Sequence, residues 1–140
     1  MVYLDTSLLV AALTRETKTA HVQAWLDDQE PAELAISEWV ATEFSAALSI
    51  KLRTRQIEPD DRADALGKFA QLYAESFAVL AVSGIHFRTA ARFADQYALG
   101  LRAGDALHLA ICADHGAALA TLDYRLSEAG STLGLRTTLL

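Results

Sequence analysis

Residues 101–116 read LRAGDALHLAICADHG, and residues 118–121 read ALAT. Positions 106–113 are apolar apart from His108, which predicts a largely buried helix. The ALAT segment is a short apolar run of the kind that forms a strand. A buried helix that leads into a strand indicates a sheet covered by helices. Asp105, at the head of this helix, needs a partner because an isolated buried carboxylate is costly.

The rest of the chain continues this alternation of strands and helices. Apolar runs predict strands at residues 2–5, 33–37, 77–82 and 118–121, with a last strand or tail at 136–140. Helical periodicity and capping residues predict helices at residues 7–14, 18–28, 38–55, 58–74, 85–99, 105–116 and 123–129. The continuous apolar run FAVLAV, residues 77–82, is typical of a strand inside a parallel sheet. The predicted fold class is α/β, a three-layer parallel sheet with helices on both faces.

The length and composition are those of one globular unit. The chain has 140 residues, so we expect residues 1–140 to form a single domain. No segment reaches the roughly 20 apolar residues of a membrane helix. No basic segment precedes the first apolar stretch, as one would in a signal peptide. We therefore expect a cytoplasmic protein without a membrane partner.

The charge and the cysteine content exclude two classes of protein. With 18 acidic against 12 basic residues the net charge is −6, whereas proteins that coat nucleic acid by bulk electrostatics are basic. An enzyme that holds cations and acts locally on a phosphodiester is compatible with this charge. Cys112 is the only cysteine, so the chain can form neither an internal disulfide nor a zinc site of several thiolates.

Four acidic residues stand where strands end or helices begin. Asp5 closes the first predicted strand, and Asp123 follows the ALAT strand. Asp105 opens the buried helix, and Glu43 lies on the helix that leaves the second strand. In parallel sheets ligands bind outside the carboxyl ends of the strands. These four carboxylates can therefore converge on one edge of the sheet.

Converging carboxylates repel one another unless a cation lies between them or one of them takes up a proton. Oxygen ligands suit Mg²⁺ and Mn²⁺, and two such ions about 3.5–4 Å apart can hold the attacking and leaving oxygens of a phosphodiester. Each acid also has a simpler explanation as a turn residue, a helix cap or an exposed charge. For Glu43, Arg53 or Arg55 could serve as an ion-pair partner. The residues alone leave both explanations open.

Four segments of the chain resemble a known family. They are YLDTS at 3–7, ATEF at 41–44, RAGDALHLA at 102–110 and LATLDYRL at 119–126. In their order and spacing the chain resembles PIN-domain ribonucleases, and specifically the VapC-type toxins of type II toxin–antitoxin pairs. The resemblance covers the whole chain, and its third and fourth segments are the most specific.

The resemblance implies a metal-dependent endoribonuclease that uses Mg²⁺ or Mn²⁺. It implies that the metal-binding and catalytic acids are Asp5, Glu43, Asp105 and Asp123, and that Thr6, Ser7 and Thr121 orient carboxylates. It also implies an RNA substrate, a homodimer and a VapB-type antitoxin, which would block the site by inserting a basic side chain among the acids. Transfer, ribosomal and messenger RNA are all compatible with these residues.

Other polar residues near these motifs have alternative interpretations. His108 is expected to be a packed core histidine with a hydrogen bond of its own rather than a ligand, since Mg²⁺ prefers oxygen. Arg102 is close enough in sequence to contact a phosphate of the substrate or an acid of the site. Arg53 and Arg55 either complement the C-terminal end of their helix or lie on the path of the RNA.

Three other functions are alternatives to that of a toxin ribonuclease. A phosphoacceptor signalling domain needs a lysine at a strand end, whereas Lys18, Lys51 and Lys68 all lie in predicted helices. A haloacid-dehalogenase-type phosphatase needs an aspartate two residues after the first one, where this chain has Ser7. A PIN domain outside a toxin–antitoxin pair remains an alternative, whether it processes RNA or binds RNA or a partner without cutting.

Overall fold

The computed structural model describes residues 1–140, which form a parallel five-stranded sheet with seven α-helices. The strands are β1 (Val2–Leu4), β2 (Leu34–Ser37), β3 (Ala78–Leu80), β4 (Ala118–Thr121) and β5 (Thr137–Leu139). The helices are α1 (Thr6–Leu13), α2 (Thr19–Asp27), α3 (Glu38–Arg53), α4 (Pro59–Glu75), α5 (Gly84–Ala94), α6 (Ala103–His115) and α7 (Tyr124–Thr132). Two 3₁₀ turns, Pro31–Glu33 and Tyr97–Leu99, precede β2 and α6.

The order of the strands, β3-β2-β1-β4-β5, explains why helices cover both faces of the sheet. The connections from β1 to β3 step toward one edge, whereas those from β3 to β5 step back toward the other. Because crossovers between parallel strands are right-handed, the two sets of helices lie on opposite faces. Accordingly α1 packs against α2, α3 and α4, while α5 packs against α6. The predicted three-layer α/β class is confirmed.

The strand order also creates a topological switch point. β1 and β4 are neighbours in the sheet, but their outgoing connections run in opposite directions. The carboxyl ends of such strands leave a crevice between the connections, where ligands bind in open α/β sheets. Asp5 follows β1, and Asp123 lies two residues beyond β4, so the switch point lies beside two of the predicted acids.

Two predicted elements differ from the structure. Only Ala78–Leu80 of the FAVLAV run is a strand, and it lies at the edge of the sheet, half-exposed, rather than inside it. The apolar side chains of this run pack only partly against the core, so an apolar run alone did not reveal the position of the strand. The helix predicted at residues 85–99 ends at Ala94, and its last residues form the separate turn Tyr97–Leu99 before Gly100 adopts φ +65°.

The core lies between the sheet and the two helical layers. Helix α6 is buried from Ala106 to Cys112, as its apolar sequence predicts. On the other face the Phe44 ring of α3 is fully buried and stacks on Phe69 of α4, with 4.3 Å between the ring centroids. None of the helices combines the length and the apolar character that a membrane-crossing helix needs.

Candidate metal-binding active site

An acidic pocket opens at the carboxyl ends of β1 and β4. Its volume is about 340 Å³, and its lining contains no lysine or arginine. The lining residues are Asp5, Thr6, Ser7, Glu43, Ala46, Ala47, Ile50, Asp105, His108 and Asp123. Four separate parts of the chain therefore bring all four predicted acids to one pocket.

Asp5 is the most buried of these acids, with 4% of its surface exposed. Pairing of Leu4 with Ala120 places it beside Thr121, whose hydroxyl donates to Oδ2 at 2.7 Å. The hydroxyl of Ser7 donates to Oδ1 at 2.5 Å, and the Leu8 N–H donates to the same oxygen at 3.3 Å. Burial raises the pKa of Asp5, and these donors together with nearby His108 oppose that rise only in part.

Asp105 and Asp123 lie at the N-terminal ends of helices. Asp105 accepts the backbone N–H of Arg102 on Oδ2 at 3.1 Å. Asp123 caps α7, accepting the N–H groups of Arg125 and Leu126 on Oδ1 at 2.8 and 3.2 Å. In both residues these backbone bonds occupy a single carboxylate oxygen. The positive ends of the helix dipoles stabilise both negative charges, and one oxygen of each residue remains for a ligand.

Glu43 projects into the pocket from α3, and its partners contact only one of its two carboxylate oxygens. Its Oε2 accepts Thr6 Oγ1 at 2.5 Å and lies 2.6 Å from Nε2 of His108. Burial alone would raise the pKa of Glu43, but the contacts with His108 and Thr6 outweigh it and the pKa is lowered. Trp39 directs its indole N–H toward the carboxylate but completes no hydrogen bond of good geometry. Arg53 and Arg55 form no ion pair with Glu43; its partners are His108 and Thr6.

A buried chain of hydrogen bonds extends from Glu43 into the core. The second ring nitrogen of His108, Nδ1, lies 2.9 Å from the hydroxyl of Tyr3, and this hydroxyl lies 2.7 Å from Oγ of Ser37. His108 has 3% of its surface exposed, and Tyr3 and Ser37 have none. The expectation of a packed histidine with a hydrogen bond of its own agrees with this geometry. Sequence reasoning missed the contact of His108 with Glu43 and the involvement of Tyr3 and Ser37.

Two predicted site residues, Arg102 and Thr121, do not line the pocket. The side chain of Arg102 is exposed at the start of α6, and only its backbone N–H contacts Asp105. Thr6 and Ser7 line the pocket, and Thr121 lies behind Asp5. Two hydroxyls also tie the site to the loop after β4, since Ser7 Oγ accepts the Leu122 N–H and Thr121 Oγ1 accepts the Asp123 N–H.

A second cluster of metal-ligating types, His86, Asp114 and His115, lies between α5 and α6. His86 is buried, and its Nδ1 accepts the backbone N–H of Ser83 at 3.0 Å. The ring proton of neutral His86 is therefore on Nε2, which donates to Asp114 at 3.0 Å. A protonated ring nitrogen has no lone pair for a metal. His86 therefore caps the start of α5 and links it to Asp114 of α6 instead of binding a metal.

The acidic pocket has the donor set of a divalent-cation site. Its charged groups are carboxylates, the ligands that Mg²⁺ and Mn²⁺ prefer. The raised pKa of buried Asp5 shows that its negative charge is incompletely compensated by the protein alone. A cation between the acids would supply that compensation. The residues present therefore fit a bound divalent metal.

The chain belongs to the PIN-domain family, whose model matches residues 2–131. It is 31% identical to ribonuclease VapC35 of Mycobacterium tuberculosis over 140 residues, covering 96% of this chain and 93% of that protein. Among solved structures it is similar to M. tuberculosis VapC20, a sarcin-ricin loop cleaving toxin, with a TM-score of 0.76, 17% identity and coverage of 93% and 95%. It also resembles VapBC2 of Rickettsia felis bound to a promoter DNA fragment, with a TM-score of 0.66, 16% identity and coverage of 100% and 99%.

Proposed function

We propose that this protein is a divalent-metal-dependent endoribonuclease and the toxin of a type II toxin–antitoxin pair. The observation that supports this proposal most is the convergence of Asp5, Glu43, Asp105 and Asp123 on one pocket at the switch point of the sheet. The similarity to ribonuclease VapC35 supports RNA as the substrate. A purely structural role explains each aspartate as a helix cap, but it does not explain why all three line one pocket together with Glu43.

Asp5, Glu43, Asp105 and Asp123 would hold Mg²⁺ or Mn²⁺. When bound, such an ion polarises a phosphate and lowers the pKa of water. Ser7 and Thr121 hold both oxygens of Asp5, so this carboxylate keeps one orientation. Asp105 and Asp123 each keep one carboxylate oxygen clear of the helix caps.

The electrostatics of the pocket make the cation a condition for binding the substrate. An RNA phosphate is an anion, and the side chains of the pocket supply four carboxylates and no lysine or arginine. Without a cation the pocket would repel the backbone that it is proposed to cut. Arg102, exposed at the head of α6, is proposed to contact a neighbouring phosphate.

Cleavage of total RNA tests the enzymatic part of this proposal. The purified chain is incubated with RNA in Mn²⁺ or Mg²⁺, with EDTA, and with Mn²⁺ restored after EDTA. We expect discrete products whose formation stops in EDTA and resumes with the metal, and sequencing of their 5′ ends identifies the RNA. Cleavage in EDTA would contradict the proposal. Retention of RNA without cleavage would favour a non-cutting PIN domain.

The proposed partner is a VapB-type antitoxin, as the similarity to VapBC2 suggests. Its basic side chain would enter the acidic pocket, so the cognate antitoxin should inhibit cleavage and compete with Mn²⁺. Co-purification with the product of the neighbouring reading frame tests this pairing. Cleavage that no such partner inhibits would favour an RNA-processing PIN domain outside a toxin–antitoxin pair.

The proposed homodimer has a suitable apolar surface. A groove of about 230 Å³ between α3, α5 and α6 is lined by Trp39, Phe87 and several alanines. Phe87 is 55% exposed and lines this groove, so the two together form an exposed apolar surface that a second copy of the chain could cover. Light scattering of wild type and Phe87→Glu tests the assignment, and we expect the substitution to yield monomers.

A further inference from the structure

We propose that His108 is a positioning residue of the metal site, which acts by fixing the carboxylate of Glu43 and is itself fixed by Tyr3 and Ser37. This inference rests on the proposed metal-dependent function. It concerns residues outside the acids and hydroxyls that the sequence motifs single out. The juxtaposition that carries it is a buried histidine between the pocket and two buried hydroxyls.

The protonation of His108 follows from its partners. A carboxylate only accepts hydrogen bonds, so Nε2, 2.6 Å from Oε2 of Glu43, carries a proton. A protonated Nε2 has no lone pair for a metal, so in this arrangement His108 is a donor to Glu43 and not a metal ligand. When the ring is neutral, Nδ1 accepts from the Tyr3 hydroxyl, which in turn accepts from Ser37. Every donor in this series of hydrogen bonds then has an acceptor.

The contacts divide the two oxygens of Glu43 between different tasks. His108 and Thr6 both contact Oε2, whereas Oε1 lies beside Gly104. A Cβ at position 104 would lie 2.7 Å from Oε1, so glycine leaves room for the carboxylate there. Two fixed donors on one oxygen already hold this long side chain in place. Binding of a ligand therefore costs less rotamer entropy than it would for a free side chain. Oε1 therefore remains oriented for a cation before the cation arrives.

The supports of His108 come from the rigid part of the fold. Tyr3 is on β1 and Ser37 ends β2, the strand paired with it, and both are fully buried. His108 is on α6, three residues after Asp105. Residues of two strands and α6 thus set the position of a residue of α3. The packing of α3 fixes the backbone of Glu43, and these contacts fix its side chain.

His86 provides a matched control within the same chain. It is also buried, and its Nε2 also contacts a carboxylate, that of Asp114, but outside the acidic pocket. If the contact with Glu43 served only to satisfy the ring nitrogens of a buried histidine, replacing either His108 or His86 would affect folding alone. If His108 positions Glu43, only its replacement changes metal binding.

The test measures Mn²⁺ binding directly, by the fraction of free Mn²⁺ in electron paramagnetic resonance spectra, for wild type, His108→Phe, Tyr3→Phe and His86→Phe. Phenylalanine keeps the ring but has no donor, whereas the amide of glutamine could still donate to the carboxylate. We expect Mn²⁺ affinity to fall about 10–100-fold in His108→Phe, the usual cost of losing a residue that orients a ligand. Tyr3→Phe removes one hydroxyl and should lower affinity about threefold to tenfold. His86→Phe should bind Mn²⁺ like the wild type.

A double substitution separates positioning from general damage. In Glu43→Gln the carboxylate that His108 holds is already absent, so adding His108→Phe should change Mn²⁺ affinity by less than about twofold. An equal loss in both backgrounds would overturn the inference, because it would mean that His108 does not act through Glu43. If His108→Phe does not fold, Tyr3→Phe decides the matter by the same measurement.

The outcomes distinguish this inference from the proposed function. Suppose that the wild type binds Mn²⁺ and cleaves RNA, and that the His108 and Tyr3 variants bind Mn²⁺ as tightly as the wild type. This outcome would overturn the inference and leave the proposed function intact. Wild type that binds no Mn²⁺ would overturn both. Weakened Mn²⁺ binding in the His108 and Tyr3 variants supports the inference even where no RNA substrate has been found, because the binding assay does not depend on cleavage.

Discussion

The acidic pocket and the cleft between α5 and α6 each contain a buried histidine that holds a carboxylate through Nε2. In the cleft, His86 holds Asp114, an acid whose side chain is 53% exposed. In the pocket, His108 holds Glu43, whose side chain is 28% exposed and lines the pocket together with three further acids. The local chemistry is the same in the two places. The difference lies in what surrounds the carboxylate.

This comparison shows why a histidine–carboxylate pair is by itself no sign of a functional site. Asp114 lies in water, where its charge costs little. Glu43 lines a pocket with carboxylates from other parts of the chain, so negative charge is concentrated at one edge of the sheet. Crowding of like charges at a sheet edge is therefore the informative feature, and matched substitutions in the two regions can test it.

The largest expected difference is between Asp105→Asn and Asp114→Asn, the same change on the same helix. Loss of a residue that only orients a ligand costs about 10–100-fold, so loss of a proposed ligand should lower RNA cleavage by at least about 100-fold. Asp114→Asn should cleave at the wild-type rate. Rates are measured with one RNA substrate at saturating Mn²⁺. Equal rates in the two variants would remove the functional distinction between the regions.

The second difference concerns stabilisation by metal. A ligand that binds only the folded state at 100 times its Kd adds about 2.7 kcal/mol of stability, which raises the Tm of a chain of this size by about 10 °C. We expect Mn²⁺ to raise the Tm of wild type and Asp114→Asn but not that of Asp105→Asn. Differential scanning calorimetry with and without Mn²⁺ measures this. A wild type whose Tm ignores Mn²⁺ would contradict a metal site in the pocket.

A third prediction concerns the unfavourable charge of Asp5. Its pKa is raised in the folded protein, so the folded state holds the proton more tightly than the unfolded state. Stability of the metal-free protein should therefore fall as pH rises from the ordinary aspartate pKa of about 3.9 through the raised value. Asp5→Asn removes this penalty, so it should raise the Tm of the metal-free protein at neutral pH.

Below the ordinary aspartate pKa this advantage of Asp5→Asn should vanish, because the wild-type carboxyl is then protonated in both states. Thermal unfolding in EDTA at several pH values measures the effect. Asp114→Asn is the control, and we expect it not to raise the neutral-pH Tm above that of the wild type, because it only weakens the contact with His86. A neutral-pH Tm of Asp5→Asn below that of the wild type would contradict the prediction.

The smallest expected effect is that of His86→Phe on stability. The substitution removes the acceptor for the Ser83 N–H and the donor to Asp114, a loss of about 1 kcal/mol. We expect a Tm lower by about 4 °C, with RNA cleavage at saturating Mn²⁺ unchanged. Reduced cleavage by the folded variant would mean that the cleft and the pocket are coupled.

Local patterns predicted most of the fold. The alternation of apolar runs with helical periodicity gave the α/β class, and capping residues located most helix starts. The exceptions are β3, which lies at the edge of the sheet, and α5, which ends at Ala94. Both depend on the neighbours that an element packs against, and local sequence does not contain that information.

The candidate site likewise has parts that local sequence predicts and parts that depend on the tertiary structure. Each acid could be located from its own segment, because strand ends and helix starts have local signatures. The link from Glu43 through His108 to Tyr3 joins residues far apart in the chain. The three-residue spacing of Asp105 and His108 placed them on one side of α6. It did not reveal which carboxylate the histidine would contact.

The sequence by itself determined which residues are acidic, which segments are strands and helices, and that parallel strands would bring their carboxyl ends to one edge. The tertiary structure alone decided that β4 lies beside β1, so that Thr121 holds Asp5, and that α6 lies close enough to α3 for His108 to hold Glu43. The physical reason is the range of the interactions. Helix and strand formation depends on neighbours in sequence, whereas strand order and contacts between helices depend on how the whole apolar core packs.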